Sequence, residues 1–254
     1  MVNLDVLTYG FALTSDQGAL GYSTNSLLTV GNNNILVDTG PSSRRSVLYQ
    51  ALQSKSLTPD DIDIVILTHM HWDHCQNTDL FRNARILLHP TEMDYARNPN
   101  RHDHTVAQYM ADMIDKMKVE LVSEGDTVVD GVTIIETPGH TKGHISVLVD
   151  SDDEKILLAG DAMPDGGTVK RGLPYNVFWD VDDARESVEK MLHSSQVVYP
   201  GHDRPFRSTD ENVSYLHGPG NIEVFNSTEG GGAVSMTFTV NALRQVNIDT
   251  VQKG

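Results

Sequence analysis

Cysteine is almost absent: the chain of 254 residues has one, Cys75. A single thiol excludes an intramolecular disulfide framework and any Cys-rich zinc module. Long apolar runs are missing too. None approaches the roughly 18–20 residues that cross a bilayer, and residues 1–13 lack a basic stretch followed by an apolar one, so no secretion signal is visible. A soluble, cytoplasmic protein with no membrane partner is expected. Basic side chains are scarce beside acidic ones, 19 against 35, for a net charge of −16. That balance opposes contact with phosphate backbones, so no nucleic-acid partner is expected.

What the chain does hold is histidine, eleven residues of it. Hydrophobic residues at 39% and charged residues at 21% fit a globular core rather than disorder. Residues 1–254 read as a single domain, with 207–254 as a C-terminal appendage. Strands are expected over Asp5–Leu13, Ser26–Val30 and Asn34–Val37, the last two joined by a Gly31–Asn34 turn. Helical periodicity follows over Ser43–Leu57, then a continuous apolar strand at Asp63–Thr68. Ala84–His89 reads as a strand, Thr91–Ala96 and Val106–Lys118 as helices, and Thr127–Thr137 as a hairpin around Asp130-Gly131. Strands at His144–Val149 and Lys155–Ala159, a helix at Val181–His193 and a strand at Gln196–Tyr199 repeat the alternation. Ser235–Val240 alternates like a lone edge strand. The class is α/β, with two βαβ-like layers facing each other.

The strongest local signal is Thr68-His-Met-His-Trp-Asp-His-Cys75. His69 and His71 are two apart after an apolar strand, so an extended backbone turns both imidazoles to one side. Asp73 and His74 follow where the chain must turn. Imidazoles and a carboxylate this close form an N/O ligand set suited to zinc or a similar transition metal. A polar loop with unrelated histidines is the bland alternative. Three later segments, Pro138-Gly-His140, Ala159-Gly-Asp161 and Pro200-Gly-His202, each place a His or Asp just past a buried strand, where open α/β sheets put their ligands. A glycine precedes each one, which lets backbone pass close to a metal centre.

His69-Met-His71-Trp-Asp73-His74, with Gly-His140, Gly-Asp161 and Gly-His202 in order, resembles the metallo-β-lactamase-fold hydrolase superfamily over roughly residues 20–206. The resemblance implies a four-layer αββα sandwich with two divalent metal ions in a cleft at its edge. Zinc is the first choice, and iron or manganese would be accepted by the same ligands. It assigns His69, His71 and His140 to one ion, Asp73, His74 and His202 to the other, and Asp161 to a bridge between them. Asp38 matches a position that supports the ligands. The implied chemistry is hydrolysis by water ionised between two metals, with Asp73 relaying a proton to the leaving group.

Acyl-homoserine-lactone lactonases are similar in ligand set and size, and pair the bridging Asp with a Tyr that binds the substrate carbonyl. Tyr175 is the candidate here, although it lies farther past Asp161, and it could instead cap the core with Phe178 and Trp179. The expected substrate is therefore a small molecule with a lactone, ester or amide bond, cleaved by a chain acting alone or as a homo-oligomer. Glyoxalase II-like thioesterases share most of the motif but carry a basic C-terminal region that is thin here. A nucleic-acid phosphodiesterase and a mono-iron sulfur dioxygenase complete the alternatives. Of the other residues, Arg101–His104 reads as a solvated loop or a substrate lid. His144 reads as a packed residue near the ligands and Cys75 as a buried thiol. Trp72 packs beside the site, and Met110, Met113 and Met117 read as core or as the apolar face of a lid.

Overall fold

The computed structural model describes residues 2–16, 18–151, 154–209, 212–219, 221–225 and 233–237. From the N-terminus run β1 (Val2–Thr8), the short pair β2 (Thr14–Ser15) and β3 (Gly18–Ala19), β4 (Asn25–Val30), β5 (Asn33–Val37) and α1 (Arg45–Ser54). Next come β6 (Ile64–Ile66), α2 (Trp72–Cys75), β7 (Arg85–Leu88), α3 (Pro90–Arg97), α4 (Tyr109–Ile114) and β8 (Lys118–Leu121). The second half carries β9 (Thr127–Val129), β10 (Val132–Glu136), β11 (Ile145–Asp150), β12 (Lys155–Gly160), α5 (Gly167–Arg171), α6 (Val181–Ser194), β13 (Val197–Pro200), β14 (Phe206–Thr209) and β15 (Asn212–Tyr215). A two-stranded pair, β16 (Asn221–Phe225) and β17 (Ala233–Thr237), follows.

Strands β1-β4-β5-β6-β7-β8 make one mixed sheet and β15-β14-β13-β12-β11-β10-β9 the other. The ligand-bearing strands run parallel where it matters: β5 to β6, β6 to β7, and β12 to β13. Consecutive buried apolar residues, Ile35–Val37 in β5 and Ile64–Ile66 in β6, mean that both faces of the first sheet are covered there. Ile35, Val37, Ile64 and Ile66 share a buried layer with Val132, Ile134, Ile145 and Val147 of the second sheet. On the opposite face, Leu36 and Val65 pack with Leu48 and Leu52 of α1 and Met110 and Ile114 of α4. Behind the second sheet, Leu157, Ala159 and Val198 pack with Val188 and Met191 of α6. Three apolar layers therefore separate helix, sheet, sheet and helix, which is the αββα sandwich. Each fully buried aliphatic side chain contributes about 1.5–3 kcal/mol. Among the described residues, no helix is long and apolar enough to cross a membrane.

Several boundaries depart from the sequence expectation. The first strand is Val2–Thr8 rather than Asp5–Leu13; past it Phe11 forms an isolated bridge with Tyr22, and Leu13 O accepts the Leu20 and Gly21 N–H groups. The ladder ends at Thr8, and at Gly10 the backbone presses so closely on Gly201 that a Cβ would sit 2.1 Å from its carbonyl oxygen. The helix expected over Val106–Lys118 is confined to Tyr109–Ile114, and Lys118–Leu121 joins the first sheet parallel to β7. The open edge of β7 offered those residues a ladder that outweighed continued helix. Residues 207–209 and 212–215 lie in β14 and β15, which extend the second sheet. Residues 235–237 of the expected edge strand lie in β17, paired with β16, while 238–240 fall outside the described residues.

Candidate metal centre

The chain around β6 builds the first part of the site. Past Ile66 the chain bends at Thr68 and is extended at His71 (φ −69°, ψ 148°), and the His69 and His71 rings lie with centroids 4.4 Å apart. Helix α2 then starts at Trp72 and carries Asp73 and His74 back toward them. His140 comes from the β10–β11 connection, Asp161 follows β12, and His202 follows β13. The parallel register of β12 and β13, with Gly160 opposite Pro200, sets Asp161 beside His202. All seven predicted ligands are buried.

Their donor atoms gather in two groups, His69/His71/His140/Asp161 and Asp73/His74/His202, each within 4.8 Å. Asp161 faces both. Its Oδ2 lies 3.5 Å from His140 Nε2, and its Oδ1 lies 3.2 Å from His74 Nε2 and 3.2 Å from His202 Nε2. Asp73 Oδ2 is 3.3 Å from His202 Nε2.

Each imidazole has one nitrogen committed elsewhere. His74 Nδ1 donates to Asp38 Oδ2 (2.7 Å), His140 Nδ1 to Asn176 O (2.9 Å), His202 Nδ1 to Tyr22 O (2.9 Å) and His71 Nε2 to Asp103 Oδ2 (3.0 Å). His69 Nδ1 contacts Thr68 Oγ1 (3.0 Å), whose hydroxyl is itself directed at Asp38 Oδ2 (2.8 Å). These bonds fix the tautomers and leave an unprotonated nitrogen of every ring facing the cluster. His71 Nδ1 and His140 Nε2 lie 3.1 Å apart. Two lone pairs cannot hydrogen-bond one another, so the contact calls for a proton or a metal cation between them. His69 Nε2, His74 Nε2 and Asp161 Oδ1 are buried without a hydrogen-bond partner. Orphaned acceptors are costly in a dry interior, and this set fits a binuclear metal site.

The electrostatics differ between the groups. Burial, reinforced by neighbouring rings, holds His69 well below the ordinary imidazole pKa. Burial lowers His140 to about 4 despite Asp161. At His74 burial also pulls down, but Asp161, Asp38 and Asp73 outweigh it and the pKa lies well above the ordinary value. His202 is raised in the same way by Asp161, and His71 by Asp103. Asp161, although buried, is held far below the carboxylate range by His202 and His74.

The supporting residues were only partly legible in the sequence. Asp38 supports His74 as expected and accepts the Thr68 N–H (2.8 Å) from a left-handed backbone conformation (φ 58°). His144 is fully buried, and its Nε2 accepts the N–H groups of Asp161 (3.0 Å) and Ala162 (3.2 Å). Asp103, within the segment expected to be a solvated loop or lid, is 4% exposed and accepts from both His71 and the Tyr95 hydroxyl. Its neighbours Arg101 and His104 are exposed, which gave the segment its polar look. Glu92 gave no sequence signal. It is wholly buried and accepts the N–H of Met70 (2.9 Å) and of Gly143 (3.0 Å), so α3 clamps the two loops carrying His69, His71 and His140. The three glycines also have distinct tasks. A Cβ at Gly201 would lie 2.2 Å from Asp161 Oδ1, and one at Gly160 2.9 Å from Thr68 Cβ, whereas Gly139 presses on Ala184 of α6 rather than on the cluster.

A cleft of about 110 Å³ opens over the cluster. Its metal-ligand wall is His71, Asp73, His140, Asp161 and His202; the rest includes Ala12, Leu13, Ala19, Trp72, Tyr175 and Phe178. Helix α5 absorbs the long interval after Asp161, so the chain returns Tyr175 to the cleft. Phe178 packs edge-on against His71 and His140. Cys75 is buried with Sγ 3.7 Å from Met70 O, and Met110, Met113 and Met117 pack in the helix-facing core.

The family model described as the metallo-beta-lactamase superfamily matches residues 19–202. Metallo-beta-lactamase domain-containing protein 1 of Xenopus laevis is 32% identical over 209 residues, 81% of each chain. A probable metallo-hydrolase of Methanocaldococcus jannaschii is 32% identical over 169 residues, 66% of this chain and 70% of its own. Among solved structures, Bacillus thuringiensis AiiA with N-decanoyl-L-homoserine bound at its active site superposes with a TM-score of 0.66 at 22% identity, covering 79% of this chain and 92% of that one. With that match and the seven buried ligands in order, the chain belongs to the metallo-beta-lactamase superfamily.

Proposed function

We propose that the protein is a zinc-dependent hydrolase of small molecules that cleaves a lactone or a related ester or amide bond. The observation that carries this reading is the tautomer pattern: every ligand imidazole has one nitrogen tied to an acceptor and the other turned inward. His69, His71 and His140 would hold one ion and Asp73, His74 and His202 the other, with Asp161 shared. A pair of divalent ions so held would lower the pKa of water and polarise a carbonyl oxygen. The Asp73 carboxylate lies on the cleft wall, where it can take the proton of attacking water and return it to the leaving oxygen as the acyl C–O bond breaks. Tyr175, also on the wall, is suited to donate its hydroxyl proton to the carbonyl oxygen as charge develops there.

The cleft supports a small substrate with an apolar portion. Its described lining contains no Lys or Arg, which disfavours a phosphodiester polyanion, while Ala12, Leu13, Ala19, Trp72 and Phe178 offer apolar surface beside the ligands. The likeness to AiiA, whose structure holds an acyl-homoserine, supports the same direction. The test is a panel of lactones, esters, thioesters, β-lactams and phosphodiesters assayed with the zinc-loaded protein. The largest kcat/KM is expected for an acylated lactone. A phosphodiester or thioester turned over faster than every lactone and ester would overturn the reading.

A further inference from the structure

The segment Tyr22–Thr24, just before β4, touches both halves of one metal group. The Tyr22 carbonyl accepts from His202 Nδ1 (2.9 Å). Ser23 Oγ donates to the carbonyl of Asp73 (2.5 Å). The Thr24 N–H donates to Gly201 O (2.7 Å), and its hydroxyl to Pro200 O (2.8 Å). Asp73 follows β6 of the first sheet and His202 follows β13 of the second, so three consecutive residues tie together side chains that no strand register connects. Ser23 and Thr24 are 0% and 8% exposed. A buried hydroxyl stabilises only when its hydrogen bond is made, and here both bonds end on carbonyls in the ligand loops. Arg44 lies 5.2 Å over the Tyr22 ring and donates to Ser23 O (3.4 Å), which braces the segment from behind.

Beyond the Thr68–Asp38 pair, which serves both groups, the other group has supports of its own. Glu92 clamps the loops of His69, His71 and His140, while Asp103 orients His71 and Asn176 O orients His140. We infer that Ser23 and Thr24 are positioning residues specific to the Asp73/His74/His202 site, so that occupancy of the second ion is set separately from that of the first. This rests on the two-ion reading above.

The experiment is a zinc titration of the metal-free full chain against a chromophoric chelator, which resolves the first and second equivalents. In the Ser23→Ala/Thr24→Val variant the second equivalent should bind about 10–100-fold more weakly, the usual cost of losing a group that supports a ligand. The first should stay within about threefold. Ser23→Ala alone, a single hydroxyl deletion, covers the case in which the double variant does not fold, and should show the same one-sided loss. Thr24→Ser keeps the hydroxyl and should keep both affinities. Equal weakening of both equivalents, or no change in either, would overturn the inference while leaving the two-ion reading intact. A wild-type chain that takes one equivalent would overturn the two-ion reading itself, and this inference with it.

Discussion

Replacing Glu92 by alanine removes the clamp between α3 and the two loops of the first ligand group. The acceptors for Met70 N–H and Gly143 N–H disappear together, and both bonds are interior (2.9 and 3.0 Å). Water cannot easily take their place, because α3 packs so tightly that a Cβ on Gly143 would lie 2.2 Å from the Glu92 nitrogen. Each stranded donor costs about 1–3 kcal/mol, so Glu92→Ala should lower stability by about 2–6 kcal/mol. Glu92→Gln keeps one acceptor oxygen and should lose about half as much. Burial holds the Glu92 carboxyl above its ordinary pKa of 4.5. A raised carboxyl pKa contributes stability that is complete below pH 4.5 and lost as pH rises through the folded value. The deficit of the Gln variant relative to wild type should therefore shrink as pH is raised from 4.5. Urea unfolding of the metal-free proteins across that range gives these differences directly. An alanine variant within about 0.5 kcal/mol of wild type, the scatter of an ordinary surface substitution, would refute the clamp.

Further outcomes follow from the same geometry. Asp161→Ala removes the carboxylate that faces both groups, and should abolish hydrolysis while circular dichroism stays native; full turnover would end the bridging assignment. Tyr175→Phe should lower kcat by about 10²–10³-fold with little change in KM, as for other donors to a developing oxyanion. A KM effect alone would make Tyr175 a binding residue. On acidification, the Asp73/His74/His202 site should release its ion first. His74 and His202 lie above the ordinary pKa of 6.5 and take up protons as pH falls toward it, whereas His69 and His140 stay neutral to lower pH. His71 is raised too, so the first site weakens but keeps two neutral rings. Metal content after gel filtration at stepped pH tests this, and release of both ions in one step would contradict it.

The seven clustered His and Asp residues were legible in the sequence because metal chemistry restricts residue type and strand ends restrict position. Spacing placed His69 and His71 on one side, and their bonding partners made the choice of nitrogen. The supporting residues were hidden for the opposite reason. Asp103 reaches His71 across 32 positions, Glu92 reaches Gly143 across 51, and Ser23 reaches Asp73 across 50. Nothing local to those residues records the partner. The same holds for β8, whose pairing with β7 depends on a sheet edge that sequence periodicity does not contain. Tyr175 shows both sides: its residue type was suggestive, but only the turn through α5 returns it to the cleft.

The count of bound transition-metal ions probes the arrangement at its root. Orphaned acceptors on His69, His74 and Asp161, and the close approach of His71 and His140, fit metal cations in both groups. Elemental analysis of the folded protein after saturation with zinc and removal of free metal should give about two ions per chain, as expected of a two-metal hydrolytic site. One ion or none, with the fold intact, would contradict the binuclear site and the chemistry built on it.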